Sequence, residues 1–173
     1  MTVIVVLIVL LCSGILSGIS YFKASGILSK ELENNYSISA ERYTQKLTAW
    51  INTNATIIDT LSADIVTNRV FDDDNDAFHA YLESNFNLLN SNGYLYDIYF
   101  TNPENIMVCA SDYISDGSVD YVHEREWFVQ AVETKELYYS SPYMDSDSGL
   151  PVITISKAVF DGGELKGVLC RPF

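Results

Sequence analysis

The hydrophobic pattern changes period along the chain, and each change marks an element. Residues 2–22 (TVIVVLIVLLCSGILSGISYF) carry no charged side chain and are dominated by Val, Ile and Leu. About 20 such residues, rising 1.5 Å each, cross a hydrocarbon layer roughly 30 Å thick. The run predicts a transmembrane anchor over residues 1–22. A cleaved signal peptide is the alternative. It would have a shorter apolar region, a basic start and a small-residue cleavage site. Here no Lys or Arg precedes the run and no small-x-small site closes it, which favours the anchor. From residue 24 to 70 there is no proline, and Gly26 is the only glycine. Leu47, Trp50, Ile51, Ile57, Ile58, Leu61, Ile65 and Val66 recur at steps that share one helix face. A helix running on from a membrane span is a stalk able to carry a piston, tilt or rotation. It is equally compatible with a first helix packed on a sheet.

The acidic run at residues 71–76 (FDDDND) breaks this helix. A second helix is predicted over residues 77–90, with Phe78, Tyr81, Leu82, Phe86 and Leu89 at helical spacing, closed by Ser91-Asn92-Gly93 with Gly93 as a left-handed cap. The period then shifts to two. Residues 94–111 read as a β-hairpin turning at Asn102-Pro103-Glu104-Asn105. A polar loop follows over residues 112–120, and a short helix over residues 124–134 carries Trp127, Phe128, Ala131 and Val132. Three strands are predicted to follow: Tyr138-Tyr139-Ser140 leading through Pro142 to Tyr143-Met144, then residues 151–160 and residues 165–170, the last two joined by Asp161-Gly162-Gly163. The fold class is therefore α+β, a long helix and an antiparallel sheet module behind one transmembrane helix.

Charge narrows the function. The 173-residue chain has 23 acidic and 10 basic residues, a formal net charge of −13. It lacks the basic stripe that nucleic acid requires, and an anionic membrane surface would repel it. Of three cysteines, Cys12 lies in the apolar run; Cys109 and Cys170 lie in strand-like runs and are either small core residues or a disulfide pair. No metal or cofactor is indicated. Asp72, Asp74, Asp76 and Glu83 imitate a calcium loop, but its turn position holds Ala77 where glycine is needed. His123-Glu124 is not a zinc pattern, and no nucleophile turn or phosphate loop exists, so the chain is not read as an enzyme.

The chemistry that stands out lies between residues 120 and 145. Tyr121, Arg125 and Trp127 open the short helix, and Tyr143 and Asp145 close a strand. A guanidinium holds a carboxylate bidentately, an indole N–H adds a donor, and an Asp with a Tyr hydroxyl accepts from an ammonium. Such a set complements a zwitterion. The same residues would also make a surface Arg–Asp pair beside a core Trp.

These residues carry a resemblance. Arg125-x-Trp127-Phe128, the run from Tyr138 through Ser140, Pro142 and Tyr143 to Asp145, the Gly149 turn, the ITIS strand and the GVL strand together resemble the double Cache sensor domains of bacterial chemoreceptors, sensor kinases and cyclic-di-GMP enzymes. The resemblance implies a PAS-like, membrane-distal sensor module over residues 23–173, outside the cytoplasm at the cell membrane. It implies a homodimer through the stalk helix, a membrane-proximal module and returning transmembrane helix beyond this chain, and signal transduction such as chemotaxis. Orientation rests on this resemblance, since Lys23 follows the span and the positive-inside rule gives no support. By position, Arg125 and Trp127 would hold the α-carboxylate of an amino acid, and Tyr143 and Asp145 its ammonium. Tyr121 would contribute although one residue out of register. Pro172 stands about where the family has a second Asp. Other expectations are an organic-acid sensor, in which Asp145 would not matter, and a ligand-free structural or dimerisation module, which Pro172 favours.

Overall fold

The computed structural model describes residues 2–72, 74–90, 97–145 and 148–173. They form two compact units, Met1–Trp50 and Ile51–Phe173. The first unit is helical throughout and lies within helix α1 (Thr2–Asn68). Among its described side chains, the large apolar Leu10, Leu11, Ile15, Leu16, Ile19 and Phe22 are exposed. One stretch of α1 is long and apolar enough to cross a membrane.

The second unit builds a sheet clad on both faces. After α1 comes a single 3-10 turn, Val70–Asp72, then α2 (Asn75–Leu89). The Asp74 side chain caps α2 by accepting from the Ala77 N–H at 2.8 Å, so the acidic run has a local structural use. The first strands are β1 (Tyr99–Thr101) and β2 (Met107–Cys109). Helices α3 (Tyr121–Glu124) and α4 (Glu126–Thr134) follow. Next come β3 (Tyr138–Tyr139), β4 (Tyr143–Met144), β5 (Pro151–Val152), β6 (Thr154–Asp161) and β7 (Glu164–Pro172). The main sheet has the order β2-β1-β7-β6-β3, antiparallel throughout, while β4 and β5 pair as a separate two-stranded sheet.

Period-two alternation sorts the side chains. Ile98, Phe100, Ile155, Val159 and Leu169 face Ile58, Leu61 and Ile65 of α1 and Phe78 and Leu82 of α2. Tyr99, Cys109, Ala158, Val168 and Cys170 face Trp127, Phe128 and Ala131 of α4. Each large apolar side chain so buried stabilises the fold by roughly 1.5–3 kcal/mol relative to exposure. With both faces covered, β6 and β7 are buried almost continuously rather than half-exposed.

Several sequence expectations are corrected. The helix expected over residues 124–134 is two helices. Arg125 is extended (φ −89°, ψ 118°), and Asp120 caps a separate α3 by accepting from the His123 N–H at 3.0 Å. The strand expected over residues 151–160 is two strands, because the chain changes partner at Ile153. Val152 pairs with Tyr143 in the small sheet, whereas Thr154 pairs with Pro172 in the large one. Ile153 exchanges backbone hydrogen bonds with Phe173 at 2.9 and 3.3 Å. The last strand, expected over residues 165–170, reaches Pro172. The Gly93 cap and the start of the strand at residues 94–96 lie outside the described residues, as do Ser146 and Asp147 of the turn before β5. Cys109 and Cys170 are both buried, and neither is in a disulfide. Tyr99 of the intervening β1 pairs with each of them. Two strand spacings, roughly 9–10 Å, exceed the reach of a disulfide.

Gly167 sits where β6 and β7 slip register, opposite Val159, with φ 156°. A Cβ there would lie 2.4 Å from the Phe100 ring and 2.5 Å from the Thr101 carbonyl oxygen. The backbone oxygen cannot rotate away. Gly167→Ala is therefore expected to cost roughly 2–3 kcal/mol, read as a lowered midpoint in urea unfolding; an unchanged midpoint would contradict this packing.

Candidate functional site

One face of the main sheet, α3, α4 and the small sheet enclose a cavity with about 30 Å³ of free volume. Its walls come from distant parts of the chain: Asp97 and Tyr99 at β1, Met107 and Cys109 on β2, Tyr113 in the following loop, Tyr121 on α3, Arg125 and Trp127, Tyr143 and Asp145 on and just after β4, and Pro172 on β7. At about 10–15 Å³ per water on this measure, the free space takes about two waters. A larger guest requires the walls to move.

The helix break at Arg125 gives the site its cation. Arg125 ends α3, its N–H donating to the Tyr121 carbonyl at 3.4 Å, and begins α4, its carbonyl accepting from the Phe128 N–H at 3.0 Å. An extended residue between two helical turns projects its side chain away from both. The guanidinium carbon lies 5.5 Å from the centre of the Tyr143 ring, a cation–π distance.

Trp127 is buried among aromatic rings, with centroids 5.4 Å from Tyr99, 6.2 Å from Tyr121 and 6.0 Å from Phe128. Its carbonyl accepts from Ser156 Oγ at 2.8 Å, which fixes α4 on β6. Tyr121 is anchored at both ends. Its N–H donates to Asn105 Oδ1 at 2.7 Å, and its hydroxyl lies 3.0 Å from Ser115 Oγ. Both roles fit core residues that also wall a cavity.

On the opposite wall, the hydroxyls of Tyr143 and Thr154 are 2.7 Å apart and those of Tyr143 and Tyr99 3.2 Å apart. Burial pushes both tyrosine hydroxyls above their ordinary pKa. Asp145 closes a tight turn. Its Oδ2 accepts from the Ser148 N–H at 2.9 Å and from Ser148 Oγ at 2.8 Å.

Tyr121, Arg125, Trp127, Tyr143 and Asp145, the five residues singled out in the sequence, thus all border one cavity. Sequence reasoning missed Asp97, Tyr99 and Thr154. Asp97 is buried, its Oδ1 accepting from the N–H groups of Ile98 (2.7 Å) and Ser111 (3.2 Å) and its Oδ2 from Ser111 Oγ (2.7 Å). Burial raises its pKa, opposed by these hydrogen bonds. A signal was available: Asp97 interrupts the aromatic-aliphatic run YLYDIYF and shares strand parity with Tyr99.

Two wider grooves, of about 470 and 340 Å³, lie elsewhere. The ammonium in the first, Lys166, is taken up by Glu164 at 2.6 Å. The second is lined by Asp76, His79 and Asp112 and contains neither Arg nor Lys.

The family model for the first PDC sensor domain of methyl-accepting chemotaxis protein-like receptors matches residues 62–171, more than half of the chain. Among solved structures, the sensory domain of the Campylobacter jejuni chemoreceptor Tlp3 with isoleucine bound superposes with a TM-score of 0.63. It is 18% identical, and the match covers 73% of this chain and 53% of that one. The ligand-binding domain of the Pseudomonas fluorescens chemoreceptor CtaA in complex with L-serine gives a TM-score of 0.60 at 19% identity, covering 73% and 52%. The same domain with L-isoleucine gives 0.61 at 18%, covering 75% and 50%. At these identities the likeness establishes a shared fold, and the chain spans about half the length of those domains. No curated protein matches the sequence.

The raised pKa of Asp97 has a sign for stability. A carboxyl that binds its proton more tightly when folded stabilises the fold below its unfolded pKa; that contribution is lost as pH rises through the folded pKa. The isosteric Asp97→Asn is therefore expected to raise the melting temperature at pH 7, with the gain vanishing towards pH 3. Calorimetric melts across that range check it, and a gain independent of pH would contradict the burial argument.

Proposed function

The chain belongs to the methyl-accepting chemotaxis protein-like family of first PDC sensor domains, and on that premise we propose that it senses an amino acid or a related amine-carboxylate outside the cytoplasm. Arg125 and Trp127 take the carboxylate; Tyr143 and Asp145 take the ammonium. Residues 1–22 serve as the membrane anchor and residues 23–173 as the sensor, paired with a second copy through the α1 stalk. Any enzymatic output belongs to other modules.

The observation that carries this reading is the gathering of one guanidinium and a carboxylate, 20 residues apart in sequence, on the wall of one aromatic-lined cavity. In water such groups would prefer hydration. Arg125 and Asp145 are both partly buried in that wall, and a guest anionic at one end and cationic at the other would complement them there. The amino acids bound by Tlp3 and CtaA have that dipole.

A route to the stalk is built into β6. Ser156 holds α4 on the cavity face, and the next residue, Lys157, pairs with Asp59 of α1 on the other. A guest that parts the cavity walls would bias this two-faced packing. Signalling requires that the guest bind one packing better than the other.

The second reading is a ligand-free structural or dimerisation module, favoured by the 30 Å³ cavity and by Pro172 in its wall. A thermal-shift screen with L-isoleucine, L-valine and L-serine separates the two, since the sensor reading expects a raised melting temperature with at least one.

For a ligand so found, Arg125→Ala is expected to weaken binding about 100-fold or more, as two charge-assisted hydrogen bonds are lost. Unchanged affinity in calorimetry would reject the carboxylate role. Asp145→Ala is expected to weaken amine ligands by roughly 10- to 150-fold and to leave binding of the matching amine-free acid unchanged. Equal losses for both would point to a turn-forming role alone.

A further inference from the structure

The cavity holds one more carboxylate than the amino-acid reading has used. The register of β1 with β7 ends at Tyr99 and Cys170; carried two residues past that last pair it aligns Asp97 with Pro172, and both residues line the cavity. Pro172 in turn pairs with Thr154 of β6. Asp97, Pro172 and Thr154 thus form one row across the sheet, and side chains of a row share a face. Thr154 ends that row at the Tyr143 hydroxyl. Pro172 offers no side-chain acceptor, so the charge on this wall comes from Asp97.

Among the described residues, the Ile98 and Ser111 N–H groups and Ser111 Oγ donate to Asp97 and hold its orientation, and the Ala110 N–H also favours its carboxylate. A carboxylate has about four acceptor sites, which leaves capacity on Oδ2. Among the described residues no Lys, Arg or His makes a salt bridge to it. A buried carboxylate without a cation is costly to maintain. An ammonium has three donors to place. Asp145 already accepts twice from Ser148 through Oδ2, and the Tyr143 hydroxyl is shared with Thr154 and Tyr99.

Resting on the amine-carboxylate reading above, we propose that Asp97 is the second carboxylate of the ammonium subsite, facing Asp145 across the guest. The guest lies with its carboxylate on Arg125 and its ammonium between the two acids. Discrimination follows: an acid without the amine leaves Asp97 buried without a cation, and a site built around a donor rejects analogues that lack it.

The test is calorimetry on the full chain in detergent micelles. The twenty standard amino acids are screened, and the tightest binder is compared with the same acid lacking its α-amino group. Asp97→Asn is expected to weaken the amino acid at least about 10-fold and to leave the amine-free acid within about twofold. Ser111→Ala, which removes hydrogen bonds from the same carboxylate but keeps its charge, should retain the preference for the amine. A folded Asp97→Asn that binds the amino acid as tightly as wild type would overturn the proposal and leave the amino-acid reading standing. Equal weakening of both ligands would also overturn it, by reducing Asp97 to a structural role. No binding of any amino acid by wild type would overturn the reading and the subsite together.

Discussion

A guanidinium and two carboxylates border one small aromatic-walled cavity, Asp97 buried and Arg125 and Asp145 partly so, and the architecture around it holds these charges in place. Arg125 comes from a break between two helices, Asp145 from a turn after a two-residue strand, and Asp97 from the chain entering β1. None of these positions is regular secondary structure. Arg125 is braced by α4, held on β6 through Ser156, while Asp145 and Asp97 are held by the loop serines Ser148 and Ser111. Polar groups are held on irregular backbone, while apolar packing supplies the rigidity beneath them.

The two faces of the sheet divide the labour. One is packed by Ile58, Leu61 and Ile65 of α1 with Phe78 and Leu82 of α2, and these residues line no part of the Arg125 cavity. The other carries the site. Because β6 and β7 are buried on both sides, a displacement on the site face has no solvent gap to dissipate into. This is the physical sense in which a sheet one layer thick can couple a binding cavity to a helix. The close contact of Gly167 with Phe100 and Thr101 keeps β1 and β7 together along that path.

Much of this was legible in the sequence where the signal is local. The apolar face of α1, the second helix and the alternation of β6 follow from period alone, and the resemblance of residues 121–145 to Cache sensors named five cavity residues. What was not legible depends on pairings distant in sequence. Asp97 and Pro172 share a cavity wall only because β1 lies beside β7, and Thr154 meets Tyr143 only because the chain changes sheets at Ile153. The break at Arg125 was hidden because the residues around it are adequate helix formers; the anchoring of Tyr121 to Asn105 and Ser115 outweighs that local preference. The expectation for Cys109 and Cys170 stayed open until β1 was found between them.

The central claim is the polarity of the guest, and the most direct measurement of it is a crystal structure of the sensor with a bound amino acid, resolved well enough to tell its two ends apart. The account predicts a carboxylate against the Arg125 guanidinium and an ammonium against the acids of the opposite wall. A guest bound the other way round, or seated in the groove beside Lys166 with the Arg125 cavity still closed, would contradict it.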